Sequence, residues 1–390
     1  MMIKEGSNAK INKAIQSLEK VELVFSGEDY FSRLRSIIAN AKTEIHLQTY
    51  IFENDSTGIE ITNALKEAAL RKVKVYVLLD AYGSFSLTKQ CINDLKLHGI
   101  DIRFFSPFFA ANSFYIGRRL HHKVIVSDGN IALIGGINIA DKYRGNATNE
   151  PWLDYAVQIE SVEIGLFLQK LCRDIYIKKK GFWAGIIKPV PQSRDNFFIR
   201  ILQNDWLNYK NDIYKSYIKA NRAANNEIII VGSYFLPNRR FRDVLKKASK
   251  KGVKVKLILS GISDIPLARR AACYLYTSFL KHNIELYEWN KSILHGKACV
   301  VDRKWATIGS FNVNHLSSYG SIETNVAINS TTFSNQFALH LDDIMAQCES
   351  ITCDTIEIRN GMVTKIANWL AYNLGRIILK IITFFPYKRL

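Results

Sequence analysis

Paired cysteines are missing from this sequence. The six present (Cys91, Cys172, Cys273, Cys299, Cys348, Cys353) are scattered, with no CxxC spacing and no histidine-rich neighbourhood. That pattern argues against a structural zinc site and against a disulfide framework, and reduced thiols in a cytosolic setting are the plain expectation. Residues 1–20 are polar and mixed in charge; they lack the apolar core of a signal peptide, so export is not expected. No aspartate cluster suited to Mg²⁺ or Ca²⁺ is visible, and no metal ion or other cofactor is expected. Acidic residues are in deficit, 35 Asp and Glu against 53 Lys and Arg, giving a net charge of +18. This points to a polyanionic partner, nucleic acid or an anionic lipid surface, and charge alone does not choose.

What remains is ordinary for a folded protein. Hydrophobic residues make up 48 % and charged residues 23 % of 390 positions, enough for two domains, each able to bury a core. The chain carries an internal duplication. Residues 41–52 (AKTEIHLQTYIF) are repeated in pattern by 224–235 (ANNEIIIVGSYF), and 65–79 (LKEAALRKVKVYVLL) by 245–259 (LKKASKKGVKVKLIL). Residues 97–105 and 281–289 then read as short strands after helices. Helices alternating with β-branched runs predict α/β architecture, with mixed, largely parallel sheets covered on both faces. Two tandem halves follow, residues 1–190 and 196–355. The boundary is expected in 188–196 (KPVPQSRDN), which has two prolines and no periodic pattern. Residues 356–390 form an appendage outside the repeat.

The chemistry sits in HxKxxxxD, present once per half: His121, Lys123 and Asp128, then His295, Lys297 and Asp302. Each histidine is followed seventeen residues later by an asparagine, Asn138 or Asn312, just after two small residues. One copy would be explained by solvated or core-satisfied side chains; two in register are not. Residues two apart on a strand share a face, so each His and Lys point the same way. Each segment reads as strand, turn, strand. Folding back about the turn is expected to bring Asn138 beside His121 and Asn312 beside His295, with the small residues leaving room for a ligand. Asp128 and Asp302 fall near the turns and are read as orienting the loop or neutralising charge. An imidazole also needs a carboxylate to fix its tautomer. Glu323 is the candidate in the second half and Asp154 holds the equivalent place in the first. His122 breaks the alternation and is expected on the other face.

Such a set suits phosphodiester chemistry. One histidine can attack phosphorus while the other protonates the leaving alkoxide. Lysines and asparagines can surround the non-bridging oxygens and stabilise the transition state.

Residues 121–138 and 295–312, with Glu323, resemble the paired motifs of the phospholipase D superfamily. The segments QTYIFEND, LLDAYGS, RRLHHKVIVSDGNIALIGGINIA and LHGKACVVD…IGSFNVNHLS resemble bacterial cardiolipin synthases over nearly the whole chain to about residue 355. The resemblance implies two phospholipase D-like domains in pseudo-twofold arrangement, and phosphatidyl transfer through a phosphohistidine. One phosphatidylglycerol would release glycerol and a second would capture the phosphatidyl group, giving cardiolipin. It further implies His121 as nucleophile and His295 as acid, then base; the halves are chemically alike, so the reverse order stays open. Asp154 lies thirty-three residues beyond its histidine and Glu323 only twenty-eight, a departure between the halves.

Nucleases share the superfamily, so the substrate rests on other features. Residues 103–119 mix aromatics with arginines directly before His121, and 176–188 (YIKKKGFWAGIIK) repeat that chemistry with lysines. Aromatics at a bilayer interface and basic side chains at headgroup phosphates account for both. Stacking on single-stranded nucleic acid, an ordinary core strand and a solvated charge run are the alternatives. In the tail, Lys365, Asn368, Asn373, Arg376, Lys380 and Thr383 recur at near-helical spacing among apolar residues. An amphipathic helix lying in the membrane interface is expected; spanning would bury Arg376 and Lys380 near mid-bilayer. The expected protein is a peripheral enzyme on the cytosolic membrane face with phosphatidylglycerol as partner and no nucleic acid. A phospholipase D using water or small alcohols is the first alternative, and a nucleic-acid binder or nuclease the second.

Overall fold

Duplicated runs fold as duplicated sheets. The computed structural model describes residues 20–106, 118–177, 198–205, 210–314, 317, 320–359 and 361–384, with side chains of the last helix to residue 377. The expected boundary at 188–196, residues 107–117 of the first aromatic–basic segment and residues 178–188 of the second lie outside these.

The first half contributes β1 (Lys20–Phe25), β2 (Glu44–Thr49), β3 (Lys74–Asp80), β4 (Asp101–Phe105), β5 (Arg119–Leu120), β6 (Lys123–Ser127), β7 (Ile131–Gly135) and β8 (Tyr155–Glu160). Apart from β5 these form one sheet in the order β1-β8-β7-β6-β2-β3-β4. The second half has β9 (Phe198–Asp205), β10 (Lys210–Asn211), β11 (Glu227–Gly232), β12 (Lys254–Ser260), β13 (Ile284–Trp289), β14 (Lys297–Val301), β15 (Trp305–Gly309), β16 (Ser321–Asn329) and β17 (Glu349–Ile351). Its order, β10-β9-β16-β15-β14-β11-β12-β13-β17, repeats the first with short strands added at both edges. Both sheets are mixed. Along these two strand orders the parallel pairs are β2-β3-β4 and β11-β12-β13, a smaller share than helix–strand alternation suggests. The reason is local: each motif forms a hairpin, and hairpins pair antiparallel.

Polar residues start the helices where they can accept from a free N–H. Asp55 caps Ser56–Leu70, Thr88 caps Lys89–Leu97, Ser161 caps Val162–Tyr176, Asn238 caps Arg239–Lys250 and Ser330 caps Thr331–Ala346. Three large apolar cores result, beside a small cluster of Leu78, Phe105, Leu120, Tyr176 and Ile322. Two are private, each lying between one sheet and its outer helices. The third is shared: Val124, Ile134, Tyr155 and Val157 pack with Ile229, Val231, Val300 and Ile308, between helices Val162–Tyr176 and Thr331–Ala346. Neither half therefore closes its inner face alone.

Asp128 and Gly129, and likewise Asp302 and Arg303, have φ between 52 and 60°. Two successive left-handed residues are what a tight hairpin turn with the sheet's own twist requires. The aspartate at this point has a second task. Asp128 accepts from the N–H groups of Lys42, Thr43 and Glu44 at 2.8, 2.7 and 3.0 Å, and Asp302 from Asn225, Asn226 and Glu227 at 2.9, 2.8 and 2.9 Å. Each ties the helix-to-strand connection before β2 or β11 to its hairpin. Replacing Asp302 by Ala strands three N–H groups, and urea unfolding is expected to show a loss of about 2 kcal/mol.

Candidate active site

At the other end of each hairpin the chain runs back from Lys123 or Lys297 to a histidine, and there the halves interlock. β5 pairs in parallel with Ser321 and Ile322 at the start of β16, and Leu153 bridges in parallel to Leu294. The His121 N–H donates to the Ile322 carbonyl at 3.0 Å and the His295 N–H to the Leu153 carbonyl at 2.8 Å. The residue after each of those carbonyls is a carboxylate. Glu323 Oε2 lies 2.9 Å from His121 Nδ1, and Asp154 Oδ2 lies 2.6 Å from His295 Nδ1. Each imidazole thus takes its orienting carboxylate from the opposite half. This corrects the expectation that each carboxylate serves its own half's histidine.

The two carboxylates occupy equivalent places. Gly135 pairs with Ala156, two residues after Asp154, and Gly309 with Asn325, two after Glu323. The five-residue difference in spacing falls between Asn138 and Asp154, a stretch that contains the short helix Asp141–Arg144. Gly136 is small for a reason other than ligand access. A Cβ there would stand 2.3 Å from Asp154 Oδ1.

Lys123 Nζ donates back to the His121 carbonyl at 2.5 Å, and Lys297 Nζ donates to the His295 carbonyl. Both lysines are 2 % exposed, and Asp154 and Glu323 are fully buried. Burial and mutual repulsion push the Lys123 ammonium down to about 7 and Lys297, chiefly by burial, to about 8. Burial raises Asp154 to about 6, against the pull of Lys297. Both imidazoles are held below their ordinary range, His121 by burial against the opposing pull of Glu323, and His295 further down by burial, Lys297, Lys123 and His121. Charges from both halves therefore act on each ring. The motif groups share one cluster.

Asn138 accepts from the Ile51 N–H at 3.0 Å and donates to Tyr143 Oη at 2.7 Å. Tyr143 Oη is 3.5 Å from His295 Nε2, so Asn138 reaches toward the second histidine. Asn312 accepts from the Ser233 hydroxyl at 2.9 Å. Asp128 and Asp302 anchor the far turns and make no hydrogen bond to either imidazole; their place in the motif is architectural. His122 is bound by Thr324 and Gln48 in the interior.

Sequence reasoning missed the walls. Tyr143, Trp152 and Tyr234 surround His295, at ring-centroid distances of 5.2, 5.9 and 6.2 Å. Tyr50 lies 5.0 Å from His121. The buried Asp80 also escaped; it accepts from the Leu120 N–H at 2.9 Å, one residue before His121, and caps Tyr82 and Gly83. Asp80 had a signal, since it ends a strand in LLDAYGS. The aromatics had none, because their partners are on distant segments.

Residues 34–162 and 217–345 each match the family described as cardiolipin synthase, PLD-like domain. The chain belongs to that family. It is 32 % identical over 339 residues to cardiolipin synthase B of Escherichia coli (strain K12), covering 85 % of this chain and 82 % of the relative. It is 28 % identical over 380 residues to the minor cardiolipin synthase ClsB of Bacillus subtilis (strain 168), covering 96 % and 94 %. The crystal structure of phosphatidylserine synthase from Haemophilus influenzae Rd KW20 shares the fold, with a TM-score of 0.74 at 14 % identity, covering 97 % of this chain and all of that one. The protein is a phosphatidyltransferase of the phospholipase D superfamily.

The exchanged pairing has a spectroscopic consequence. Glu323 favours the charged form of His121, so Glu323→Gln lowers the His121 pKa further and leaves that of His295 in place. Histidine ¹⁵N NMR titration reads both rings. A shift confined to His295 would contradict the pairing.

Proposed function

We propose that the protein is a cardiolipin synthase, moving a phosphatidyl group from one phosphatidylglycerol to another through a phosphohistidine and releasing glycerol. The observation that carries this is the pair of imidazoles, each held by the other half's carboxylate, in one buried cluster with two lysines. The names of the Escherichia coli and Bacillus subtilis relatives support the substrate.

His121 is the nucleophile. Its Nε2 has no hydrogen-bond partner among the described residues, while Tyr143 stands over the Nε2 of His295. A neutral imidazole is the attacking form, and burial keeps His121 neutral at pH 7. Nε2 bonds to phosphorus as the phosphorus–oxygen bond to glycerol breaks, and the glycerol oxygen takes a proton from His295. The proton is available because a phosphodiester anion offsets the Lys123 and Lys297 charges that otherwise depress His295. Asp154 stabilises the resulting imidazolium and fixes its tautomer. In the second step His295 removes the proton from the hydroxyl of a second phosphatidylglycerol. That oxygen displaces His121, forming cardiolipin and freeing the nucleophile. The lysines face the non-bridging oxygens throughout.

The site of action is the cytosolic face of a membrane, with the protein attached peripherally. No helix among the described residues is long and apolar enough to cross a bilayer. The helix Met362–Phe384 exposes apolar side chains and is assigned to the attachment.

Purified protein with phosphatidylglycerol in mixed micelles is expected to yield cardiolipin and glycerol. Its kcat/KM rises as Asp154 ionises near pH 6 and falls as Lys123 and Lys297 lose their protons between about 7 and 8. Phosphatidic acid or alcohol adducts without cardiolipin would assign it instead to phospholipase D hydrolysis or small-alcohol exchange.

A further inference from the structure

The helix Arg239–Lys250 (RRFRDVLKKASK) carries six cations and one acid in twelve residues. Its interior face is ordinary: Phe241, Val244, Leu245 and Ala248 are buried in the second half's private core. The cations are left on the surface, where the helix forms one wall of a groove of about 950 Å³. The other walls are helix Pro266–Leu280 and the C-terminal helix Met362–Phe384. Arg239, Arg242, Lys246, Lys281, Lys365 and Arg376 line it, against the single carboxylate of Asp243.

The C-terminal helix is seated firmly along this groove. Asn368 and Ala371 are buried. Tyr372 stacks on Tyr274 with ring centroids 4.7 Å apart, accepts from Arg242 at 2.7 Å and lies under the Arg376 guanidinium. At 3.6 residues per turn, the opposite face is the stripe Val363, Ile366, Leu370, Leu374 and Ile377, with Trp369 at its edge. All six are between 49 and 80 % exposed. Lys365 and Arg376 fall between the seated face and the stripe, on the Trp369 side. The helix therefore turns a basic flank toward the groove and an apolar face outward.

We propose that groove and stripe are one docking surface for an anionic phospholipid bilayer. The six cations take headgroup phosphates at a site separate from the catalytic histidines, and the stripe enters the boundary of the acyl region. The proposal deepens the functional reading above and rests on it for the identity of the membrane. Charge complementarity commits the surface to this occupant: a second copy of the chain would bring another strongly basic face. Nucleic acid would satisfy the cations but leave the adjoining apolar stripe in water. The surface also connects to the site. Helix Pro266–Leu280 begins two residues after Asp264, which accepts from the Tyr234 hydroxyl at 2.7 Å, and Tyr234 is one of the rings around His295.

The test is co-sedimentation of the full chain with phosphatidylcholine vesicles, with and without phosphatidylglycerol. Wild type is expected to prefer the anionic vesicles. Each cation at such a surface is worth roughly fivefold in partition, so Arg239→Glu/Lys246→Glu/Lys281→Glu loses at least about a hundredfold. A control with the same change in net charge on the first half, Lys74→Glu/Lys89→Glu/Lys96→Glu, keeps its binding. Leu370→Ser/Leu374→Ser weakens binding to both vesicle types, and circular dichroism checks that every variant is folded. Retained binding by the groove variant, or equal loss in the control, would overturn the proposal. So would a DNA duplex that binds the wild type more tightly than anionic vesicles and is lost in the same variant. Cardiolipin formation from micelles by the wild type is read separately. Its failure removes the catalytic reading while the vesicle result still decides the groove.

Discussion

Two buried carboxylates, each crossing to the other half's imidazole, are the constraint on which the rest of the structure depends. Asp154 and Glu323 are wholly buried, as are the ammonium groups of Lys123 and Lys297. A buried charge without a partner is costly, of order several kcal/mol even after relaxation. In the assembled cleft two anions, two cations and two imidazoles balance one another. Separating the halves would leave His121 without Glu323 and His295 without Asp154, and would expose the core shared by the inner faces of both sheets. Electrostatics and packing therefore demand the same joint structure, and a tandem repeat becomes a single working unit.

The pseudo-twofold relation is close in the backbone and broken in the side chains. Both histidines are held by a main-chain bond to the residue before a carboxylate, and both lysines fold back onto the histidine carbonyl. The carboxylates differ in length, however. In the first half the short helix Asp141–Arg144 carries Tyr143, which caps His295, while among the described residues His121 meets Tyr50 at ring distance. The lower imidazole pKa at His295 follows from this deeper enclosure and from the two lysines. In the proposed mechanism two chemically alike halves take unlike tasks, one ring attacking phosphorus and the other transferring the proton.

Much of this was legible in the sequence because it is local. The repeat, the hairpins and the HxK strands follow from spacing and from period-two patterns. The turn aspartates, read as orienting the loop or neutralising charge, stand at the opposite end of a hairpin from their histidines and bind the connection before β2 or β11. Asp154 and Glu323 were found as residues but assigned to the wrong partners. Their distance along the chain from each histidine hides the exchange, which arises from β5 pairing with β16 and Leu153 with Leu294. Nothing periodic marks a two-residue bridge between halves. The aromatic walls were missed for the same reason. The basic groove was missed because residues 245–259, which overlap the helix Arg239–Lys250, were read as one copy of a repeated helix–strand unit. Only the packing of the C-terminal helix makes it a wall.

The central claim is that one phosphorus atom is handled by two histidines of a single composite site. Acid quenching with ³²P-labelled phosphatidylglycerol, followed by peptide mapping, tests this most directly. The account predicts at most one phosphohistidine per chain, at His121, which fails to form when either His121 or Glu323 is replaced. Label on both histidines at once, or label on His295 that persists without His121, would mean two separate sites and would contradict it.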